Sequence, residues 1–199
     1  LPAKMSKSLK NVVNPDEIIK RYGADSFRLY EMFIGPLREV KPWNTEGVEG
    51  VYRFLFRFWK MIIDAEHGGL CAEIGDEPMD RDGERLLHQT IKKVSEDIDN
   101  LSFNTAISQL MIAVNEFGRA PKRNRRAMET MVLLISPLAP HIAEELWQRL
   151  GHDTTLAYEP WPQCDEAKLK VDSVEIVVQI NGKPRVRMAV PAEADQAAM

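Results

Sequence analysis

The 199-residue sequence has few cysteines, no long apolar run and no excess of positive charge. Its two cysteines, Cys71 and Cys164, are far apart and in no metal-binding spacing, which favours a reducing, cytoplasmic setting. No stretch approaches the roughly 18 apolar residues that a membrane-spanning helix needs, so none is predicted. The formal net charge is −4. Any nucleic acid would therefore have to be bound through local basic patches.

Two common catalytic arrangements are not indicated. The spacing of His141 and Glu145 resembles that of a zinc-binding helix, but no second histidine lies on the same helix. Because a zinc site needs three or four ligands, we predict no metal site, and we expect His141 to begin a helix or to fill a packed polar position. Ser6 and Ser8 have no histidine nearby in the sequence that could act as a base, which argues against a hydrolytic triad. The remaining histidines are His67, His88 and His152.

The most informative segment lies near the start of the chain and reads Lys4-Met5-Ser6-Lys7-Ser8. This 4–8 loop contains two lysines and two serines within five residues, and ammonium and hydroxyl groups both donate to phosphate oxygens. The loop has no glycine, so it is not a Walker-type cradle built from backbone N–H groups. Two interpretations follow, a phosphate-binding loop or a short solvated basic turn.

A pair of short helices is predicted directly after the loop. Asn14 is expected to cap the first helix, with Pro15 in its first turn and Glu17 completing a capping box. Gly23 is expected to end this helix, and Asp25 to cap a second one that continues to residue 33. Such a pair would give a mobile loop a rigid attachment.

The middle of the chain predicts a bundle of five helices. Apolar residues recur there at i, i+3, i+4 and i+7, which is the period of a helix with one buried face. Aromatic side chains on the first helix could stack nucleic-acid bases, but their helical period favours a place in the core. The fold class predicted is therefore mainly α, a helical bundle. The expected helices are residues 44–66, 83–99, 105–117, 125–136 and 141–150.

The composition changes again towards the C-terminus. β-branched residues predict strands at 174–180 and 186–190, joined by a turn at Asn181-Gly182. Two strands alone are marginal in water, so this segment is expected to be the start of a larger β unit. The predicted domains are the loop and helix pair at 1–35, the bundle at 36–160, and a linker with an incomplete β unit at 161–199.

A cluster of cations lies between the third and fourth helices of the bundle. It allows two interpretations, a contact to RNA phosphates or a solvated basic turn. The members of this 119–126 turn are Arg119, Lys122, Arg123, Arg125 and Arg126.

Several segments together resemble the C-terminal part of bacterial-type leucyl-tRNA synthetase, a class I aminoacyl-tRNA synthetase. The 4–8 loop is similar to the KMSKS loop of that class. One local departure is Leu9-Lys10, where the family more often has Lys-Gly. The other segments that carry the resemblance are residues 11–16, 22–25, 28–30, 35–37, 41–43, 103–106, 138–147 and 178–183.

The resemblance implies a two-step ligase that activates leucine with ATP and transfers it to leucine tRNA. Lys7 would be the ATP-binding lysine and Lys4 would assist it, within a loop formed by Lys4, Met5, Ser6, Lys7 and Ser8. ATP would act together with Mg²⁺. The helix pair would be the stem-contact fold, the bundle the anticodon-binding domain, and the β unit a contact to the outer corner of the tRNA. The resemblance further implies a cytoplasmic monomer.

We expect the chain to be a C-terminal fragment of the enzyme that begins at the KMSKS loop. The nucleotide-binding half with its HIGH motif, the leucine pocket, the editing domain and any zinc module would lie outside it. The fragment alone is therefore expected to be inactive. Two alternatives remain open, a fragment of isoleucyl- or valyl-tRNA synthetase and a non-catalytic tRNA-binding module.

Overall fold

Helices make up most of the structure, a computed structural model that describes residues 4–170 and the backbone of 173–180 and 183–191. The prediction of a mainly α fold is confirmed. Among the described residues no helix is both long and apolar enough to cross a membrane. The α-helices are α1 Pro15–Tyr22, α2 Ala24–Phe33, α3 Thr45–Ile62, α4 Arg81–Asp99, α5 Phe103–Arg119, α6 Arg125–Ile135 and α7 Pro140–Arg149.

The first helix of the N-terminal pair begins at the residue that the sequence predicts. Asn14 Oδ1 accepts a hydrogen bond from the Asp16 amide at 3.1 Å, which caps α1. Gly23 follows α1 with φ = 85°, a left-handed value that glycine adopts without steric cost, and α2 starts at the next residue. Ile18 on α1 and Leu29 on α2 are buried in the core, so the pair is packed on the rest of the protein.

Helix α3 is shorter than predicted. It ends at Ile62, and the backbone of Ile63 is extended and forms an isolated bridge with Leu70. The Asp64 amide accordingly donates to the Gly69 carbonyl at 2.8 Å, which closes a tight turn over residues that we expected to be helical. The hydrophobic period up to Ile63 could not predict that the helix ends at Ile62, because the bridging partner, Leu70, lies on the far side of the turn.

The predicted aromatic stripe of α3 is divided between the core and the surface. Phe54 and Phe58 are fully buried, whereas Tyr52 and Phe56 are 44% and 49% exposed. The core interpretation therefore holds for the inward face only. Large side chains that are fully buried in the core are Leu29, Phe54, Phe58, Met61, Ile62, Ile107, Leu110, Met128, Met131, Leu134, Ile135 and Leu138.

The remaining helices pack in neighbouring pairs. Helix α3 packs on α2 and α5, α4 on α5, and α6 on α7. A short parallel pair of strands, β1 Ile74–Gly75 and β2 Arg123–Asn124, joins the link before α4 to the link before α6. The sequence predicts no strand in either segment, since a two-residue strand has no period to detect.

The chain divides into two compact units, the first ending at Cys164 and the second beginning at Asp165. Trp161 still belongs to the first unit, where its Nε1 donates to Ser95 Oγ on α4 at 2.8 Å. The second unit contains the antiparallel strands β3 Ser173–Ile180 and β4 Lys183–Pro191, with a register shift between Val178 and Gln179. The predicted pair of strands is confirmed, while its turn residues, 181–182, lie outside the described residues.

Two glycines on α3 give a stability test with an internal control. A Cβ added at Gly47 would lie 2.5 Å from Tyr30 Cε2, whereas a Cβ at Gly50 would meet nothing within 4 Å. We expect Gly47→Ala to destabilise the protein by about 1–3 kcal/mol through overpacking. Gly50→Ala should instead stabilise it by about 0.5–1 kcal/mol, because alanine is the better helix former.

Urea unfolding of the two variants, followed by circular dichroism, measures both effects. Equal effects of the two substitutions would contradict the close approach of Tyr30 to α3.

Candidate functional site

The 4–8 loop is held in shape by a side chain just beyond it. Asn11 Oδ1 accepts from the Ser6 amide at 2.8 Å, and Asn11 Nδ2 donates to the Lys4 carbonyl at 3.3 Å. Ser6 Oγ accepts from the Leu9 amide at 3.2 Å and lies 3.1 Å from Ser8 Oγ. This role of Asn11 was not predicted, although an asparagine that follows a short polar loop is a recognised turn signal.

This fold of the loop leaves its two lysines at the surface. Lys4 and Lys7 are both exposed, and each carries an ammonium group on a flexible stem. Two cationic donors and two hydroxyl groups therefore lie on one short turn. Such a group can bind the oxygens of a phosphate chain as point charges, without the fixed geometry of a glycine cradle.

The backbone of the loop turns at Lys10, which has φ = 51°. This left-handed conformation is unfavourable for most residues with a side chain, and glycine adopts it most readily. The geometry thus gives a physical reason for the glycine that the family more often has at this place. In this chain the same turn is made by a lysine, which stores strain of about 1–2 kcal/mol there.

The loop leads into a cleft at the end of the helix pair. This cleft has a volume of about 290 Å³ and combines apolar with charged side chains. Met5 reaches it from the loop, and Val13, just before α1, packs against the core. The lining residues are Met5, Val13, Pro15, Phe27, Glu31, Ile34, Lys41 and Trp43.

The prediction that Asp25 caps its own helix, α2, is wrong, because its side chain caps α7 instead. Gly23 is the N-cap residue of α2, so Asp25 lies in the first turn and its carboxylate points to another helix. Asp25 Oδ2 accepts from the Ile142 amide at 2.7 Å, and Oδ1 accepts from the His141 amide at 3.3 Å. The ring Nδ1 of His141 lies 2.7 Å from the same Oδ1. The partner is 116 residues away, which no local pattern could indicate.

Two further polar contacts attach α2 to the bundle. Arg28 Nη2 donates to the Pro137 carbonyl at 3.2 Å, in the link between α6 and α7. The amide of Asn44, the N-cap residue of α3, donates to Tyr30 Oη at 2.9 Å. Helix α2 is therefore bonded to the starting points of both α3 and α7.

The 119–126 turn is not a uniform cationic surface. Arg123 is buried, and its Nη2 donates to Glu73 Oε2 at 2.9 Å, while its amide donates to the Glu73 carbonyl at 2.8 Å. Arg125 Nη1 donates to the Leu150 carbonyl at 2.7 Å. These two arginines hold the fold together, so they are poorly placed to bind a phosphate.

The outer cations of the turn lie close to acidic side chains. Lys122 Nζ is 3.1 Å from Glu77 Oε1, and this hydrogen bond lowers the pKa of the Glu77 carboxyl. Arg119 Nη1 is 3.3 Å from Glu116 Oε1. Arg126 is exposed and has no ion-pair partner among the described residues. Of the five predicted contacts, Arg126 is thus the most available to an anion.

Three of the four histidines each lie beside one carboxylate. Besides the pair of His141 and Asp25, His152 Nε2 lies 3.0 Å from Glu129 Oε1, and His67 Nδ1 lies 2.8 Å from Asp64 Oδ2. No group of three histidine, cysteine, aspartate or glutamate side chains that could hold a metal occurs in the part of the chain that the structure describes.

A basic loop, a helix pair and a helical bundle in this order define a class of protein. Residues 2–41 match the family of class I tRNA synthetases for isoleucine, leucine, methionine and valine. Residues 80–199 match the anticodon-binding domain of tRNA ligase. The chain belongs to this family of tRNA ligases.

The individual relatives are leucine–tRNA ligases. The chain is 50% identical over 189 residues to that of Chlorobium phaeobacteroides, covering 95% of this chain and 23% of the relative. It is also 50% identical over 193 residues to that of Rhodopirellula baltica, covering 96% of this chain and 20% of the relative. The chain therefore spans about a fifth to a quarter of the length of these relatives. The predicted resemblance to leucyl-tRNA synthetase is confirmed.

A solved structure shows the same fold. It is a LeuRS of Agrobacterium radiobacter K84, in a ternary complex with tRNA and LeuAMS. Its TM-score to this chain is 0.76 at 30% sequence identity, and the match covers 98% of this chain and 26% of that one.

The different burial of the arginines in the turn predicts different effects on stability. We expect Arg123→Ala to lower the free energy of unfolding by about 1–3 kcal/mol, because Glu73 and the surrounding core lose a buried hydrogen-bonded partner. Arg126→Ala, which removes the same charge from an exposed site, should change it by less than about 0.5 kcal/mol.

Chemical denaturation of both variants at neutral pH gives the comparison. If Arg123→Ala left the free energy of unfolding unchanged, the buried Arg123 side chain would not contribute to the stability of the fold.

Proposed function

We propose that this chain is part of a leucine–tRNA ligase that activates leucine with ATP and transfers it to leucine tRNA. The observation that carries the proposal is 50% identity to a leucine–tRNA ligase over 95% of the chain. The loop with its two lysines lies within residues 2–41, which match the class I tRNA synthetases. In the first step the leucine carboxylate attacks the α-phosphate of ATP, which gives leucyl-adenylate and releases pyrophosphate. In the second step a hydroxyl of the terminal adenosine of the tRNA takes the leucyl group and AMP leaves.

The 4–8 loop is proposed to bind the phosphates of ATP. Lys7 would stabilise the negative charge that builds on the departing pyrophosphate, and Lys4 would assist. Ser6 and Ser8 would donate hydroxyl hydrogen bonds to the same oxygens. Mg²⁺ would enter as part of the substrate, held by phosphate oxygens, which are the hard ligands that it prefers.

The rest of the chain is proposed to bind the tRNA. We assign residues 1–35 to the ATP loop and stem-contact helices, 36–160 to the anticodon-binding bundle, and 161–199 to a linker and the start of a tRNA-contacting β unit. The exposed Arg126, with Arg119 and Lys122 beside acidic partners, supplies cations for the tRNA backbone. We further propose that the enzyme acts as a monomer in the cytoplasm.

The test of the catalytic proposal is leucine-dependent exchange of labelled pyrophosphate into ATP by the complete protein. Lys7→Ala should lower kcat by on the order of 10²-fold, with a much smaller effect on the KM for leucine, because the lost contact acts mainly in the transition state. Lys20→Ala, which removes an exposed lysine from α1, is the charge-matched control and should be close to normal.

The 199-residue chain alone should show no exchange above a blank without protein. Exchange with isoleucine or valine in place of leucine would reassign the substrate within the family. Near-normal kcat in Lys7→Ala would show that this lysine is only a surface charge.

The tRNA contact is tested by titrating labelled leucine tRNA with this chain at several salt concentrations. Affinity should fall as salt rises, and Arg126→Ala should weaken it and reduce the slope of log K against log salt by about one. Arg57→Ala, an exposed arginine on α3, changes the net charge equally and should leave that slope closer to the unmodified value. If the slope of log K against log salt were equal for the unmodified chain, Arg126→Ala and Arg57→Ala, the RNA-binding surface would not include the 119–126 turn.

A further inference from the structure

Helix α7 begins without a capping residue of its own. Ala139 occupies its N-cap position and makes no side-chain cap bond, and Pro140 has no N–H. The amides of His141 and Ile142 would therefore lack acceptors at the positive end of the helix. Both of them donate to the Asp25 carboxylate, at 3.3 and 2.7 Å.

Asp25 lies at the N-termini of two helices at once. It is in the first turn of α2, whose N-cap Gly23 also makes no side-chain cap bond, and it faces the first turn of α7. Its side chain is only 10% exposed, while the side chain of His141 is 71% exposed. A buried carboxylate with charge-assisted hydrogen bonds is stable only while these partners remain in place, so Asp25 fixes the position of α2 on α7.

The same helix pair carries the 4–8 loop. Helix α1 packs on α2, and the Gly23 amide donates to the Ile19 carbonyl at 2.8 Å. The cap of α1, Asn14, lies three residues after Asn11, which is bonded to the loop. A displacement of α2 on the bundle would therefore displace the base of the loop.

We propose that Asp25 is a positioning residue, which couples the placement of the helical bundle to that of the ATP-phosphate loop. This inference rests on the proposed function of the loop. It concerns a carboxylate that touches no substrate and acts through α2, α1 and the cap at Asn14. Misplacing a catalytic group by about 1 Å can cost on the order of 10²-fold in rate.

The experiment compares Asp25→Ala with a second cap variant in the complete protein. Asn124→Ala is the matched control, because Asn124 Oδ1 caps α6 through the Ala127 amide at 3.1 Å and Nδ2 donates to the Glu77 carbonyl at 2.9 Å. At a temperature below both unfolding transitions, Asp25→Ala should lower kcat for leucine-dependent pyrophosphate exchange by roughly tenfold to a hundredfold. Its KM for leucine should stay near the wild-type value, and Asn124→Ala should keep near-normal kcat. Asp25→Asn, which retains one acceptor oxygen, should be intermediate.

Hydrogen exchange of this 199-residue chain provides a readout that does not depend on activity. Asp25→Ala should speed amide exchange in α1, α2 and the first turn of α7, and leave α4 and α5 near the wild-type rates. Asn124→Ala should leave α1 and α2 protected.

The inference would be overturned if Asp25→Ala and Asn124→Ala lowered kcat equally. It would also be overturned if Asp25→Ala left amide hydrogen exchange in α1 and α2 unchanged. If the complete wild-type protein shows no leucine-dependent pyrophosphate exchange, the proposed function is overturned together with the catalytic part of the inference. The hydrogen-exchange comparison then still decides whether Asp25 holds the helix pair to α7.

Discussion

The structure depends on one carboxylate that closes a contact between distant parts of the chain. Asp25 accepts hydrogen bonds from two amides and an imidazole that lie 116 and 117 residues further on. Because α7 has only Ala139 and Pro140 at its start, this helix is completed by a residue from another one. The N-terminal helices are thus a structural part of the bundle and share its core through Ile18, Leu29 and Tyr30.

Three cations of the 119–126 turn are paired with acidic residues of another link. The acidic residues between α3 and α4 lie beside the basic residues between α5 and α6, and the parallel pairing of β1 and β2 brings the two links together. A count of arginines along the sequence therefore overstates the positive surface that is available to RNA. In tertiary structure the turn supplies one buried arginine that supports the fold and only a few cations at the surface.

Much of this architecture was predictable because its causes are local. The cap at Asn14, the helical period of α4 to α7 and the alternation of the two C-terminal strands each act within a few residues, and these elements were confirmed. The features that were missed have partners far away in sequence. The early end of α3 depends on the bridge between Ile63 and Leu70, and β1 exists only through β2. Asp25 was assigned to the wrong helix for the same reason.

In the candidate site, too, local features could be predicted from the sequence and long-range contacts could not. The residue types of the 4–8 loop are sufficient to predict phosphate binding from the sequence alone, since lysine and serine side chains in one turn can donate to phosphate oxygens; this stays a prediction. The roles of Asn11 and Arg123 could not be read in the same way. Asn11 acts through the backbone of the loop, and Arg123 is removed from the surface by Glu73, which is 50 residues away.

The lysine in the left-handed turn has a consequence for how the loop moves. The left-handed conformation at φ = 51° has a higher free energy for Lys10 than it would have for glycine, so this conformation of the loop is strained. A rotation of that residue to negative φ releases the strain, which lowers the barrier for leaving the conformation described here. A side chain at this position also narrows the range of backbone conformations open to the released loop, so less entropy is lost when it is captured again. Position 10 can therefore set the rate of loop motion without touching a ligand.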